Sequence, residues 1–298
     1  MQTELITLQF IRMPMTNADL EKKFFETLQP VYGAEEAASI KRYFFSALYG
    51  WNDQIWLTKR IESADEAIIA KAEQALKDLL VFKPIQYITG SVWFMNLQFR
   101  VGPGVLIPRP ETEELVTKII NENKSKTGLK ILDIGCGSGA ISVSLSKFMN
   151  QASVSACDIS ETALDFTREN ARLSGVKLNL FQANILYPAN VSIGSDFDII
   201  VSNPPYVKET EKELMFSNVL DYEPSIALFV PDDNPLIFYI SIVEYAYNNL
   251  KSGGSLWFEI NEGEGEAVAT LCRVNGYNNV EIHKDFKGKN RFVSCIKY

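Results

Sequence analysis

Lys130-Ile-Leu-Asp-Ile-Gly-Cys-Gly-Ser-Gly139 is the stretch that decides the fold. Residues 130–134 are mostly apolar, as expected of a strand buried on both faces of a parallel sheet. Three glycines follow at every second position, and the segment from Ala140 to Phe148 then has the composition of a helix. A strand, a glycine turn and a helix in succession predict a loop whose backbone can approach a ligand closely.

Strands continue to alternate with helices on the C-terminal side of this unit. A helix is predicted from Glu161 to Ser174. The predicted strands are Val154–Cys157, Leu178–Phe181, Phe197–Val201, Ser255–Ile260, Val280–His283 and Phe292–Ile296. This order predicts an α/β fold with a parallel sheet in right-handed crossovers and an antiparallel pair at its end.

The N-terminal part of the chain has a different pattern. Apolar residues recur at helical spacing through Leu20 and Phe24, again through Ile40 and Phe44, and in a third segment that Pro84 ends. Ser63-Ala-Asp-Glu66 is interpreted as the capping box of that third helix.

Short β-type runs near residues 92–107 are interrupted by Asn96 and Gly102, which predicts a β-hairpin. We therefore expect a helical domain at 1–88, a hinge hairpin at 89–107 and an α/β domain at 108–298.

Composition narrows the class of protein. The 298 residues are 46% hydrophobic, with no apolar run of the roughly 20 residues that span a bilayer. The N-terminus carries acidic residues and lacks a signal pattern, so we expect a cytoplasmic protein without membrane contact. A formal net charge of −8 opposes direct binding of nucleic acid.

Four cysteines without CxxC spacing, and one histidine, His283, argue against a metal site. We expect the thiols to be reduced and buried, and His283 to be a strand residue near the C-terminus.

The glycine loop reads GxGxG and follows an acidic residue, Asp133, whereas dinucleotide sites usually read GxGxxG. A pyrophosphate does not need that carboxylate, but a ligand that carries an ammonium group does. Asp158 follows the second strand about 20 residues later, where a carboxylate can accept hydrogen bonds from both hydroxyls of a ribose. The pattern therefore favours S-adenosylmethionine over a dinucleotide or a structural turn.

Asn203-Pro204-Pro205-Tyr206 lies at the end of another predicted strand, the edge where open α/β sheets bind ligands. The two prolines remove N–H donors, so the Asn203 side-chain oxygen and the Pro204 carbonyl can accept hydrogen bonds from a group with two N–H bonds. Tyr206 offers an aromatic face to a planar group. The segment predicts methyl transfer to a planar amide or amine nitrogen through positioning rather than through a strong base. A rigid turn is the alternative.

The sequence resembles the glutamine methyltransferases that modify peptide-chain release factors, often called the HemK or PrmC family. The resemblance covers most of the chain and includes the glycine loop and the acceptor segment. Its other segments are Lys83–Gly90, Leu106–Leu115, Tyr222–Leu228 and the ending around Asp285, Gly288 and Arg291.

The resemblance implies a class I, Rossmann-like methyltransferase domain preceded by a helical domain that binds the release factor. It implies methylation of the side-chain nitrogen of the glutamine in a Gly-Gly-Gln tip, with S-adenosylhomocysteine as product and an effect on translation termination. Apart from the resemblance, we expect a monomer without a metal. The cofactor residues implied are Asp133, Gly135, Cys136, Gly137, Ser138, Gly139, Asp158, Asn184, Ile185 and Asn203. Asn203 to Tyr206 would hold the glutamine, and Arg109 and Glu111 would lie near it or else form a surface ion pair with each other.

The sequence departs from the family pattern in two places. Asn184-Ile185 stands where an acidic and an aromatic residue are usual, and Asn261 often is glycine. Asn184 can still accept from an adenine amino group, Ile185 packs without stacking, and Asn261 tolerates positive φ.

Three alternatives stay open. One is a methyltransferase that acts on the adenine amino group of DNA or RNA, with the base flipped onto Tyr206. The others are modification of a glutamine in a different protein and non-catalytic binding of S-adenosylmethionine.

Overall fold

A computed structural model describes residues 15–50, 53–190 and 192–298 of the chain. The chain divides into two compact units, Met1–Thr89 and Gly90–Tyr298. The interpretation of the N-terminus as lacking a signal pattern concerns residues 1–14, which lie outside the described part.

The first unit is helical in its described residues. Its helices are α1 (Asn17–Tyr32), α2 (Ala34–Tyr49), α3 (Asp53–Lys59), α4 (Glu66–Leu80) and α5 (Ile85–Thr89). Phe24 is fully buried at the centre, stacked on Phe44 with ring centroids 5.0 Å apart and meeting the edge of Phe45. The predicted helical faces therefore form one apolar core.

The capping box predicted for α4 is wrong. Asp65, and not Ser63, is the N-cap, and its side chain accepts a hydrogen bond from the backbone N–H of Ala67 at 2.7 Å. An aspartate placed two residues before that N–H competes directly with a serine for the capping position.

The second unit begins with an antiparallel hairpin of β1 (Ser91–Phe94) and β2 (Leu97–Arg100). The remaining helices are α6 (Pro110–Asn123), α7 (Ala140–Phe148), α8 (Glu161–Ser174), α9 (Ser217–Leu220), α10 (Ile237–Asn249) and α11 (Gly265–Val274). The remaining strands are β3 (Lys130–Ile134), β4 (Ser153–Asp158), β5 (Asn179–Gln182), β6 (Phe197–Ser202), β7 (Val207–Lys208), β8 (Phe229–Val230), β9 (Leu250–Glu259), β10 (Tyr277–Lys284) and β11 (Asn290–Lys297). Val105–Ile107, expected to be β-type, is not a strand.

The main sheet has seven strands in the order β10-β11-β9-β6-β3-β4-β5. Strands β9, β6, β3, β4 and β5 are parallel, while β11 runs antiparallel to both β9 and β10. The predicted parallel sheet with an antiparallel pair at its end is confirmed. Since β3 leads to β4 on one side and has β6 on the other, the topological switch point, where ligands bind in such sheets, lies between β3 and β6.

Local chemistry sets the ends of the helices around the sheet. Ser160 caps the N-terminus of α8 with a side chain that accepts from the Ala163 N–H, and Gly175 caps its C-terminus with a left-handed φ of 68°. Helix α6 has Pro110 in its first turn, where a missing N–H costs nothing.

The four cysteines are free and buried, as predicted. His283 lies in β10, also as predicted, with Nε2 2.8 Å from the Ser294 hydroxyl and the ring stacked on Trp257. In the described part of the chain, no helix is long and apolar enough to cross a membrane.

Candidate active site

The predicted site residues lie at the carboxyl ends of adjacent parallel strands. Gly135 follows β3, Asp158 ends β4, Asn184 follows β5 and Asn203 follows β6. The parallel register places Ile134 opposite both Cys157 and Ser202, and Asp158 opposite Gln182, so the four strands end at nearly the same level. Loops distant in the sequence therefore meet above the switch point.

The glycine loop is fixed by backbone contacts to β4 and α8. The N–H groups of Gly135 and Cys136 donate to the Cys157 carbonyl at 2.8 and 3.0 Å. Gly139 begins α7 at φ 81°, and a Cβ at that position would lie 2.9 Å from Cγ2 of Thr167. Glycine at 139 is therefore required both by backbone conformation and by the closeness of α8.

Two carboxylates flank this loop. Asp158 accepts from the Gly137 N–H and the Ser160 N–H, each at 2.9 Å. Asp133 is fully buried, and one of its oxygens accepts from the Ser142 N–H at 3.0 Å, while the other has no hydrogen-bond partner among the described residues. Burial raises the pKa of Asp133 to about 7 and also raises the pKa of Asp158.

A cavity of about 180 Å³ opens between these loops. Eight of the predicted residues line it: Gly135, Gly137, Asp158, Asn184, Ile185, Asn203, Pro204 and Pro205. Other predicted residues do not line the cavity: Asp133, Cys136, Ser138, Gly139, Tyr206, Arg109 and Glu111. The cofactor and acceptor motifs thus share one cavity.

The acceptor segment is tied to a buried carboxylate that the sequence interpretation gave no role. The Asn203 side-chain nitrogen donates to the Thr112 hydroxyl at 3.4 Å, and Thr112 donates to Oε2 of Glu259 at 2.7 Å. The Tyr206 hydroxyl donates to Oε1 of the same Glu259 at 3.3 Å. One carboxylate therefore joins both polar side chains of the segment.

Glu259 ends β9 and is 1% exposed. Burial raises its pKa to about 6, opposed by the Thr112 hydrogen bond and the positive charge of Arg291. Burial and the neighbouring Glu259 raise the pKa of Tyr206, so this phenol stays protonated and able to donate.

Arg109 and Glu111 do not form an ion pair with each other. Arg109 contacts Oε1 of Glu223 at 2.6 Å, and the other Glu223 oxygen accepts from the Ile107 N–H at 3.0 Å. Glu111 instead pairs with Lys287 at 2.9 Å. Glu223 is 5% exposed and precedes Pro224, Ile226 and Ala227 in the cavity wall. The Arg109 contact therefore holds that wall in place.

Sequence reasoning missed Thr112, Glu223 and Glu259 as a set, together with Phe238 in the cavity wall. Glu259 could have been noticed from its position after an apolar strand at the ligand-binding edge. Thr112 carries no such signal, because its partner lies 147 residues away.

The two departures from the family have local explanations. The Asn184 oxygen accepts from the Leu186 N–H at 3.0 Å, so it closes a turn. Ile185 is buried in the main core. Asn261 does not need the φ tolerance expected of it, since it is absent from the positive-φ residues of the described chain, and its oxygen accepts from the Gly263 N–H.

The residues present fit S-adenosylmethionine. A fully buried carboxylate oxygen at Asp133 lacks a donor, and the cavity-lining glycines 135 and 137 have open space where a side chain would begin. Among residues 15–50, 53–190 and 192–298, no group of three or more His, Cys, Asp or Glu is placed to hold a metal ion.

Comparison with known proteins finds methyltransferases. The methyltransferase small domain family matches residues 111–220. The release factor glutamine methyltransferase of Bacteroides thetaiotaomicron is 41% identical over 91% of this chain and 96% of its own. That of Flavobacterium psychrophilum is 40% identical over 91% of this chain and 95% of its own.

Among solved structures, the 16S rRNA N2 G1207 methyltransferase of T. thermophilus, in complex with AdoMet and guanosine, matches with a TM-score of 0.51. It is 16% identical and covers 70% of this chain and 50% of its own, a likeness in fold alone. The predicted Rossmann-like methyltransferase fold is confirmed.

Proposed function

The chain belongs to the release factor glutamine methyltransferase family, and from that we propose that it methylates the glutamine of the Gly-Gly-Gln tip of a peptide-chain release factor. The acceptor atom is the side-chain amide nitrogen. The observation that carries the proposal is the orientation of Asn203 in the same cavity as the glycine loop and Asp158. The side-chain nitrogen of Asn203 donates to Thr112, so the Asn203 oxygen is left to accept a hydrogen bond from an N–H group of the substrate.

S-adenosylmethionine, when bound, supplies a methyl group on a positively charged sulfur. Asp158 would hold the ribose, and the backbone of residues 135–139 would lie along the ligand. Asp133 precedes the glycine loop without lining the cavity, and its unpartnered oxygen would be the anionic acceptor for the ammonium group of the ligand. Ile185 and Phe238 give the cavity an apolar wall suited to a base.

The acceptor segment would act by orienting the amide. An amide nitrogen is a weak nucleophile because its lone pair is delocalised into the carbonyl. The Asn203 oxygen and the Pro204 carbonyl would accept hydrogen bonds from the two N–H groups of the substrate amide. These bonds would direct the lone pair of the amide nitrogen into the cavity and favour pyramidalisation of that nitrogen. Within the described residues, the Asn203 side chain makes its hydrogen bond through the nitrogen, so its oxygen is available for this contact.

Further parts of the proposal concern the rest of the chain. The helical unit would bind the release factor, the hairpin of β1 and β2 would be the hinge, and the protein would work as a cytoplasmic monomer that modulates translation termination. Catalysis would need no metal, since the acceptor proton can leave after nitrogen has become cationic. The acidic net charge of −8 disfavours a nucleic acid as substrate.

The test is transfer of a labelled methyl group from S-adenosylmethionine. The purified protein is incubated with a release factor, with the same factor carrying Gly-Gly-Gln→Gly-Gly-Ala, and with an adenine-containing duplex. Label on the unchanged factor alone supports the proposal. Label on the duplex, or equal label on both factors, refutes it.

Variants then connect activity to the site. Asn203→Ala is expected to lower kcat by about 10²–10³-fold, as for loss of one preorganised polar group. Asn278→Ala is the matched control, because Asn278 is exposed on β10 and does not line the cavity. If both variants keep full activity, Asn203 does not bind the amide.

A further inference from the structure

Asn203 has two ends that differ chemically, and only one of them suits the proposed substrate. Its oxygen accepts hydrogen bonds, whereas its NH₂ group donates them. An Asn203 side chain rotated by half a turn would present donors to the N–H bonds of an amide and repel it. Some feature of the fold must therefore select one orientation.

Thr112 makes that selection possible because its hydroxyl has a single proton. Thr112 lies 2.7 Å from Oε2 of Glu259, and an ionised carboxylate can only accept, so the proton points to Glu259. The Thr112 oxygen is then left as an acceptor toward Asn203, at 3.4 Å from its nitrogen. The planar carboxamide consequently turns its oxygen to the opposite side.

The hydrogen bonds of Glu259 keep its carboxylate in place as the acceptor of the Thr112 proton. Its second oxygen accepts from the Tyr206 hydroxyl at 3.3 Å, so neither carboxylate oxygen is free to rotate away. The Tyr239 hydroxyl donates to the Glu259 backbone carbonyl at 3.0 Å and fixes the end of the strand. The buried carboxylate is thus anchored from α6 and from the acceptor segment, and the backbone of Glu259 is anchored from α10.

We propose that Glu259 and Thr112 are positioning residues that set the orientation of Asn203, so that its oxygen faces the acceptor amide. The inference rests on the proposed function for its effect on catalysis, but not for its effect on Asn203 itself. Neither residue needs to contact substrate. Their role is to make one of two nearly isosteric orientations of Asn203 the favoured one.

The charged and titratable groups around Glu259 agree with an acceptor role. Arg291 on β11 favours its ionised form, and so do the hydroxyls of Thr112 and Tyr206, while Glu111 on α6 opposes ionisation. Arg291 is itself held by Asp285, with Nε 3.2 Å from the carboxylate. Burial is the larger effect and raises the pKa of Glu259 to about 6, which still leaves the carboxyl mostly ionised at neutral pH.

The test uses Thr112→Val and Glu259→Gln, which keep the shape of each side chain. The first removes the hydrogen bonds of Thr112 to Asn203 and Glu259, and the second places a donor where Glu259 had an acceptor. Valine can neither donate nor accept, and glutamine must direct an NH₂ group at Thr112 or Tyr206. Thr112→Ser keeps the hydroxyl, and Thr117→Val is the matched control on the exposed face of α6. Two readouts are followed, the Asn203 side-chain NH₂ resonance in asparagine-labelled protein and methyl transfer to the release factor.

The expected result has a distinct signature. The Asn203 resonance moves in Thr112→Val and Glu259→Gln but not in Thr112→Ser or Thr117→Val. In Thr112→Val and Glu259→Gln, kcat falls by about 10–100-fold, the loss typical when a residue that orients a functional side chain through a hydrogen bond is removed. The KM for S-adenosylmethionine is unchanged. The double variant is no slower than the slower single variant, because both changes break one chain of bonds.

The two hypotheses fail in different ways. If the resonance moves but the unaltered protein methylates no release factor, the proposed function is wrong and the orientation of Asn203 by Thr112 and Glu259 still holds. If the resonance stays in place, or kcat is unchanged while the unaltered protein is active, the inference is overturned.

Discussion

Asp133→Asn tests how a buried carboxyl beside the glycine loop affects stability at different pH values. The Asp133 carboxyl is fully buried, and one of its oxygens has no partner in the described part of the chain. Burial raises its pKa from the ordinary value of 3.8 to about 7, with the nearby Asp158 adding to the effect. Since the folded state holds this proton more tightly than the unfolded state, the stability of the native protein falls as pH rises from 3.8 to about 7.

The size of the effect follows from that interval. One pKa unit corresponds to about 1.4 kcal/mol, so the 1.5 or so units between pH 5.5 and pH 7 are worth about 2 kcal/mol. Asparagine cannot ionise and does not suffer this loss. The advantage of Asp133→Asn in free energy of unfolding should therefore grow by about 2 kcal/mol from pH 5.5 to pH 8.5. Any constant effect of the new amide cancels in this difference.

The assay is urea unfolding of ligand-free protein at the two pH values, followed by tryptophan fluorescence. Both lie above the sequence pI of about 5.0, which limits precipitation. Asp165→Asn is the control, because Asp165 is exposed on α8. The variant should also bind S-adenosylmethionine more weakly, because it lacks the anionic acceptor. An advantage that is equal at pH 5.5 and pH 8.5 would refute the description of Asp133 as a buried, poorly compensated carboxyl.

Three further predictions concern packing and pH. Gly139→Ala should lower the free energy of unfolding by about 1–3 kcal/mol in thermal or urea unfolding, since its Cβ would lie 2.9 Å from Thr167 and its φ is 81°. For the reaction, kcat should fall as pH drops through about 6, because protonated Glu259 loses an acceptor; a pH–rate profile of Glu259→Gln should lack that decline. In the helical unit, Phe24→Ala should cost about 3–5 kcal/mol, measured by the loss of helical circular dichroism in urea, whereas Val31→Ala, which is 44% exposed, should cost far less.

Local signals in the sequence predicted much of the fold. Helix α8 agrees at both ends with its prediction because Ser160 supplies a cap and Gly175 a left-handed stop, and both effects depend only on neighbouring residues. Helix α10 was not predicted. Its exposed side also carries apolar residues, Ile240 and Tyr247, so the sequence lacks the one-sided periodicity on which such predictions depend.

Some residues of the site could likewise be predicted from local sequence, and others could not. Asp158 and Asn203 follow apolar strands, and the topology of a parallel sheet is enough to bring such positions together. The contacts of Glu259 with Thr112 and Tyr206 span 147 and 53 residues, and they depend on how α6 packs over the end of β9. No local pattern encodes that packing. The interpretation of Arg109 and Glu111 as a pair failed for the same reason, since closeness in sequence is a poor guide to the partner of a long side chain.

The position of the switch point between β3 and β6 has a consequence for how such an enzyme can change. The loops after β3, β4 and β5 line one side of the cavity, whereas Asn203 after β6 lines the other and is linked through Thr112 to Glu259 at the end of β9. The two halves meet along one pair of neighbouring strands. On the proposed function, exchange of the β6 and β9 loops together with Thr112 would change the acceptor and leave the loops that would bind the methyl donor unaltered.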